Sequence, residues 1–151
     1  MAGYTTRADP DTSAKAIGKD LPVSPKMSRE ICGMIRGMKV DVAIKVLEEV
    51  IDLKRPVPLK RFNKRVSHKP GVGPGRYPQK TAKAILGVVK DASANADYKG
   101  LDSEGMMITT ISASLGQTRP GFMPRAHGRA TQWNQQTVNI EVIIEEFEEV
   151  E

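Results

Sequence analysis

The chain has 151 residues, 39% of them hydrophobic and 27% charged, with Lys plus Arg at 23, Asp plus Glu at 18 and a net charge of +5. This is the length of one ordinary domain, and an aromatic content of 5% is lean for a chain that fills one deep core. One cysteine, Cys32, and two histidines, His68 and His127, exclude an internal disulfide and a cysteine- or histidine-rich metal centre. Apolar runs such as Val142-Ile143-Ile144 are too short to cross a bilayer, and residues 1–18 carry no apolar stretch of a secretory leader. The expectation is a small, soluble, basic, intracellular protein with no membrane partner and no cofactor.

In chain order, the first 23 residues show little periodicity. Ala16-Ile17 and Leu21-Pro22-Val23 predict a short edge strand, since Pro22 lacks a ladder donor. Ser24-Pro25 reads as a helix N-cap and first helical residue. Ile31, Met34, Ile35 and Met38 then form one apolar stripe, with Gly33 and Gly37 read as points of close packing against another backbone. In a second helix Val40, Ala43, Ile44, Leu47, Val50 and Ile51 keep the helical period, with Asp41, Lys45, Glu48, Glu49 and Asp52 opposite, until Pro56 and Pro58. Residues 55–79 contain Pro70, Gly71, Gly73, Pro74, Gly75 and Pro78 and few apolar residues, and read as an extended insertion without a core. Pro78 opens a third helix that buries Ala82, Ile85, Leu86, Val89, Ala92 and Ala96 and stops near Lys99-Gly100.

The last third changes period from 3.6 to 2. Met106–Leu115 is rich in Ile, Thr and Ser, and Val138, Ile140, Val142 and Ile144 alternate with Asn139, Glu141 and Glu145. Two such strands predict a long antiparallel hairpin. About fifteen residues per arm at ~3.3 Å each reach roughly 50 Å, beyond a domain whose radius of gyration is about 15 Å. Residues 116–137 cannot then pack on the chain's own core, and an isolated ribbon is marginal in water. Residues 117–137 hold Arg119, Arg125 and Arg129, no acidic residue, and only Phe122, Met123 and Trp133 as large apolar groups. The expected map is one domain over 1–151, with a body (16–54, 78–115 and 138–147), a basic insertion (55–79), a protruding hairpin (116–137) and an acidic tail (145–151).

Charge is segregated. From Lys54 to Lys90 lie eleven basic residues and no acidic one: Lys54, Arg55, Lys60, Arg61, Lys64, Arg65, Lys69, Arg76, Lys80, Lys83 and Lys90. From Ile140 to Glu151 there are six glutamates and no lysine or arginine. Exclusion of one sign over 37 residues is unlike a mixed-sign solubilising surface and calls for a polyanion, for which nucleic acid is the usual choice. Trp133, Phe62 and Tyr77 are candidates for stacking on unpaired bases or for local packing.

Catalytic readings fail on their surroundings. Gly71-Val72-Gly73-Pro74-Gly75-Arg76 follows no apolar strand, loses a donor at Pro74 and lacks a Gly-Lys-Ser/Thr ending, so it is no phosphate cradle. His68 and His127 lie in basic loops without a patterned carboxylate, and Cys32 reads as a small core residue. The terminal glutamates read as a tail rather than a metal site. No enzyme is expected.

Met123-Pro124-Arg125-Ala126-His127-Gly128-Arg129-Ala130, followed by the alternating strand Val138–Ile144, resembles the hairpin of the ribosomal large-subunit protein L-twenty-two family. The similarity extends to Leu21-Pro22-Val23-Ser24-Pro25-Lys26, the two amphipathic helices and the third helix, hence nearly the whole chain. Residues 54–79 and the N-terminal extension resemble the archaeal and eukaryotic branch. The resemblance implies an α+β fold, about three helices packed on a small antiparallel sheet from which a long β-hairpin protrudes. It implies a cytoplasmic constituent of the large ribosomal subunit that binds its RNA across several domains and assists assembly. The body would lie near the polypeptide exit beside neighbouring ribosomal proteins, and the hairpin would line the tunnel.

On this reading the RNA-binding residues are Lys26, Arg29, Arg55, Lys60, Arg61, Lys64, Arg65, Lys69, Arg76, Lys80, Lys83, Arg119, Arg125, Arg129 and Trp133. The tip Met123, Pro124, Arg125, Ala126, His127, Gly128 and Arg129 would meet the nascent chain transiently, Arg125 and Arg129 gripping RNA while Met123, Ala126 and His127 face the tunnel. Gln132-Trp133-Asn134-Gln135-Gln136 replaces the basic run of bacterial relatives in the returning strand. The rival reading is a free-standing RNA- or DNA-binding chaperone module.

Overall fold

A computed structural model describes residues 3–103 and 105–146. The elements are β1 (Ser13–Leu21), α1 (Pro25–Ile35), α2 (Val40–Ile51), β2 (Val57–Pro58), β3 (His68–Lys69), β4 (Gly73–Arg76), α3 (Gln79–Lys99), β5 (Met107–Arg119), β6 (Phe122–Pro124), a 3₁₀ turn (Ala126–Gly128), β7 (Ala130–Gln132) and β8 (Gln135–Glu145). The class is α+β, with three helices on an antiparallel sheet of order β1-β8-β5.

The helices form where the apolar spacing places them. Pro25 opens α1, and Ile31 and Ile35 stack one turn apart with no exposure. The Ser24 side chain makes no cap; its carbonyl instead accepts the Ser28 amide and hydroxyl, each at 2.9 Å. In α2 the buried face is Val40, Ala43, Val46, Leu47 and Val50. Ile44 and Ile51 are only half-buried, whereas Val46 is buried. Helix α3 begins one residue after Pro78, buries Val88 where Leu86 was expected, and ends as the sequence indicates, with Gly100 in the left-handed region at φ +80°.

The glycine expectation for α1 is corrected. An added Cβ at Gly33 or Gly37 meets nothing within 4 Å. The segment after α1 instead pairs with the outer edge of β5: the Gly37 amide donates to Ile108 O at 2.9 Å, the Ile108 amide to Met38 O at 2.9 Å, and the Val40 amide to Met106 O at 3.0 Å. That edge is thereby covered rather than left open to other chains. Close packing occurs at Gly18, whose Cβ would lie 2.7 Å from Val88 Cγ2, where α3 crosses β1.

Two further expectations change. Strand β1 is nine residues long rather than a short fragment, although it does hold the sheet edge. Residues 55–79 are not wholly without regular structure: β2, β4 and β3 form a small antiparallel sheet, fastened by fully buried Val57 and nearly buried Leu59 against the body. Strand β8 runs through Glu145, and residues 147–151 of the expected acidic tail lie outside those described.

Strand β8 alternates as expected, with Val138, Ile140, Val142 and Ile144 facing the helices. The opposite face is also covered, for Glu141 is 5% and Ile143 0% exposed. Residues 3–12 provide part of that cover. Thr5 donates its amide and its hydroxyl to the Glu141 carboxylate, Ser112 Oγ donates to it at 2.9 Å, and Lys15 Nζ donates to Ala8 O at 3.2 Å. Satisfied in this way, a carboxylate tolerates burial.

Candidate nucleic-acid interface

The hairpin leaves the body along β5 and β8, which pair from Met107↔Glu145 out to Arg119↔Gln135, and continues as β6–β7. No residue from 112 to 136 is buried. The tip closes through the Arg125 amide on Arg129 O at 2.7 Å, with His127 and Gly128 both in the left-handed region, φ +60° and +68°. Arg125, Ala126 and Arg129 share one concavity with Ala130 and Thr131. Met123 is half-buried, and Pro124, Ala126, His127 and Gly128 are exposed.

At the hairpin root Asp20 acts as a clamp that the sequence did not flag. Its carboxylate accepts the Gln117 amide at 2.8 Å and the Thr137 hydroxyl at 2.9 Å, and its own amide donates to Asn139 Oδ1 at 2.8 Å. These hydrogen bonds, with smaller help from the positive charges of Arg119 and Lys19, hold the carboxyl below its ordinary range. Gly116 completes the root: a Cβ there would stand 2.5 Å from Thr137 Oγ1 and 2.6 Å from Asp20 Oδ1.

The basic block divides in two. Lys54 pairs with Asp52 at 3.0 Å, Arg55 with Glu49 at 3.4 Å and Lys90 with Glu48 at 3.7 Å, so the outer face of α2 neutralises the block's ends. Removing these three from eleven leaves eight, Lys60, Arg61, Lys64, Arg65, Lys69, Arg76, Lys80 and Lys83, with no ion pair among the described residues. All are exposed except Lys69, which is half-buried with its ammonium 5.6 Å from the Tyr77 ring centre. Glu30 fixes the start of this loop by accepting the backbone amides of Lys60 and Arg61, at 3.1 and 2.9 Å. The acid thus orders backbone and leaves the cationic heads outward.

Two clefts flank the hairpin root. One, of about 310 Å³, includes Lys80, Arg119, Gln135 and Gln136; the other, of about 520 Å³, includes Lys26, Arg29, Phe62, Leu115 and Gln136. Lys26, Arg29, Arg119, Arg125 and Arg129 are exposed, as is Trp133. Cations from α1, the insertion, α3 and the hairpin are thus presented outward together, the layout of a surface that neutralises phosphates. Cys32 takes no part. It is 2% exposed, and burial pushes its thiol up to about 12, which keeps it protonated and inert at neutral pH.

The layout is that of a nucleic-acid-binding protein with a protruding hairpin. The family model for ribosomal protein L22p/L17e matches residues 16–145, and the chain belongs to that family. It is 50% identical to the large ribosomal subunit protein uL22 of Methanocaldococcus jannaschii over 147 residues, 95% of this chain and 94% of the relative. To the proteins of the same name in Methanothrix thermoacetophila and Methanocella arvoryzae it is 52% and 48% identical, over 88% and 95% of this chain and 90% and 96% of theirs.

Proposed function

We propose that the protein is a structural constituent of the large ribosomal subunit in the cytoplasm, where it binds ribosomal RNA, assists assembly and touches neighbouring ribosomal proteins. The observation that carries this reading is the hairpin: residues 112–136 have no buried side chain, bear three arginines and no carboxylate, and project from a body whose basic block has eight cations without an ion pair among the described residues. Such a finger gains its order from what surrounds it. Folded RNA supplies both the counter-charge and the shape, reading the ribbon and loop by fit rather than by base sequence. In this arrangement the body sits near the polypeptide exit, and the hairpin lines the tunnel wall with its tip residues 123–129 beside the passing nascent chain.

If all eight of these cations touch phosphate, the log–log salt slope reaches about −7. The deciding measurement is co-sedimentation of the tagged chain with large subunits through a high-salt sucrose gradient. The wild type is expected in the large-subunit peak, and the triple change Lys60→Glu, Arg61→Glu, Lys64→Glu is expected largely in the free fraction. Equal incorporation of the two would remove the basic loop from the interface. Recovery of the wild type only in RNA-free fractions, with slow hydrogen exchange throughout the free hairpin tip, would instead favour a free-standing module.

A further inference from the structure

Phe62 stands where packing does not explain it. Its ring is 63% exposed, and its backbone holds φ at +57°, a left-handed conformation that strains a bulky residue. Neither feature is a fluctuation at a loose tip, because the two Glu30-bound amides immediately before it pin the loop. Cations crowd the ring: Lys26 Nζ lies 4.8 Å and Arg61 Cζ 5.8 Å from its centre. Phe62 also lines two recesses. One is the 520 Å³ cleft with Lys26 and Arg29, and the other a concavity of about 510 Å³ with Lys64 and Arg65. Among the described residues, no carboxylate lines either.

We propose that Phe62 is a stacking platform for one unpaired nucleotide of an RNA strand. Lys26 and Arg29 take the phosphate on one side of that base, and Lys64 and Arg65 the phosphate on the other. The sequence of cation, ring and cation copies the sequence of phosphate, base and phosphate along a single strand. A paired helix keeps its base faces inside its own stack and cannot offer one to the ring. An acidic peptide would satisfy the cations but leave the ring bare. The strained loop is held ready by Glu30 before the ligand arrives, so little ordering is needed on binding. This site rests on the RNA-binding reading above and narrows it to one residue and one nucleotide conformation.

The test uses the full chain, a 12-nucleotide polyadenylate strand and a 12-base-pair RNA duplex at one fixed salt concentration. Phe62→Leu should weaken binding to the single strand about tenfold and to the duplex less than twofold, whereas Phe62→Tyr keeps both affinities. Lys64→Glu with Arg65→Glu should weaken both RNAs, since phosphates are common to them. If Phe62→Leu leaves the single strand within twofold while the charge reversal weakens both, the stacking site is wrong and the RNA-binding reading stands. If the charge reversal weakens neither, the RNA-binding reading loses its support in this loop. Equal losses on both RNAs for Phe62→Leu, or loss of binding to polyglutamate with RNA binding unchanged, would likewise overturn the platform. A lowered melting temperature for Phe62→Leu shifts the decision to Phe62→Tyr, which must keep single-strand binding, and to Lys26→Gln with Arg29→Gln, which must lower it, for the site to stand.

Discussion

Strands β5 and β8 run through two environments without a break in the chain. Near Ile111↔Val142 both side chains are fully buried beneath the helices, whereas at Arg119↔Gln135 both are exposed. The strand pairing continues, but only the first half is supported by hydrophobic burial. Each ladder bond contributes a net ~1 kcal/mol at most in water, too little to fix a lone ribbon against its conformational entropy. One pair of strands therefore serves as core at one end and, at the other, as a finger that relies on its surroundings.

The sharpest way to break this contrast is to truncate a side chain in each half. Ile140→Ala should lower the unfolding free energy by about 2–5 kcal/mol, through lost burial and a cavity. Phe122, 69% exposed on β6, should tolerate the same truncation within ~0.5 kcal/mol. Urea denaturation of both variants measures the difference. Comparable losses would mean that the hairpin packs on the body.

The boundary gives a smaller effect. Gly116→Ala forces a Cβ into the Thr137 hydroxyl and the Asp20 carboxylate and should destabilise by about 1–3 kcal/mol. Gly87 in α3 is a fair control, since a Cβ there meets nothing within 4 Å and replacing a helical glycine should stabilise by ~0.5–1 kcal/mol. Thermal melts of the pair should move in opposite directions. A neutral Gly116→Ala would show that the root yields easily.

The comparison also explains what the sequence disclosed. Helices α1, α2 and α3 were legible because Ile31, Ile35, Leu47, Ile85 and Val89 repeat at helical spacing and all end in one core. The hairpin was legible by default, from alternation that outran any core. What stayed hidden depends on contacts distant in sequence. Thr5 meets Glu141 136 residues away and Asp20 meets Gln117 97 residues away, and a lone threonine or aspartate carries no local pattern to announce this. The pairing of Arg55 was hidden in the same way, because Glu49 lies outside the block in sequence but beside it across the end of α2. Glu30 was missed for the same reason, as its partners are main-chain amides 30 and 31 residues on.

Asp20 provides the finest test, because its effect should appear in the hairpin root with little change in the body. Its carboxyl is held below the usual value of 3.8, first by the Gln117 amide and then by the Thr137 hydroxyl. A depressed folded value means the ionised form is favoured by folding. The clamp therefore contributes fully above pH 3.8 and is lost as pH falls through the lower folded value. Followed by amide chemical shift, Gln117 should titrate with a midpoint below 3.8, while Val142 in the buried half stays unmoved. Asp20→Ala should abolish that titration and speed amide exchange at Gln117 even at neutral pH. A midpoint at or above 3.8, or unchanged exchange in the variant, would show that the root is held by the β5–β8 ladder alone. The expected result makes the hairpin's direction a property of the free protein at neutral pH, so RNA meets a finger already aimed and supplies order chiefly beyond Arg119.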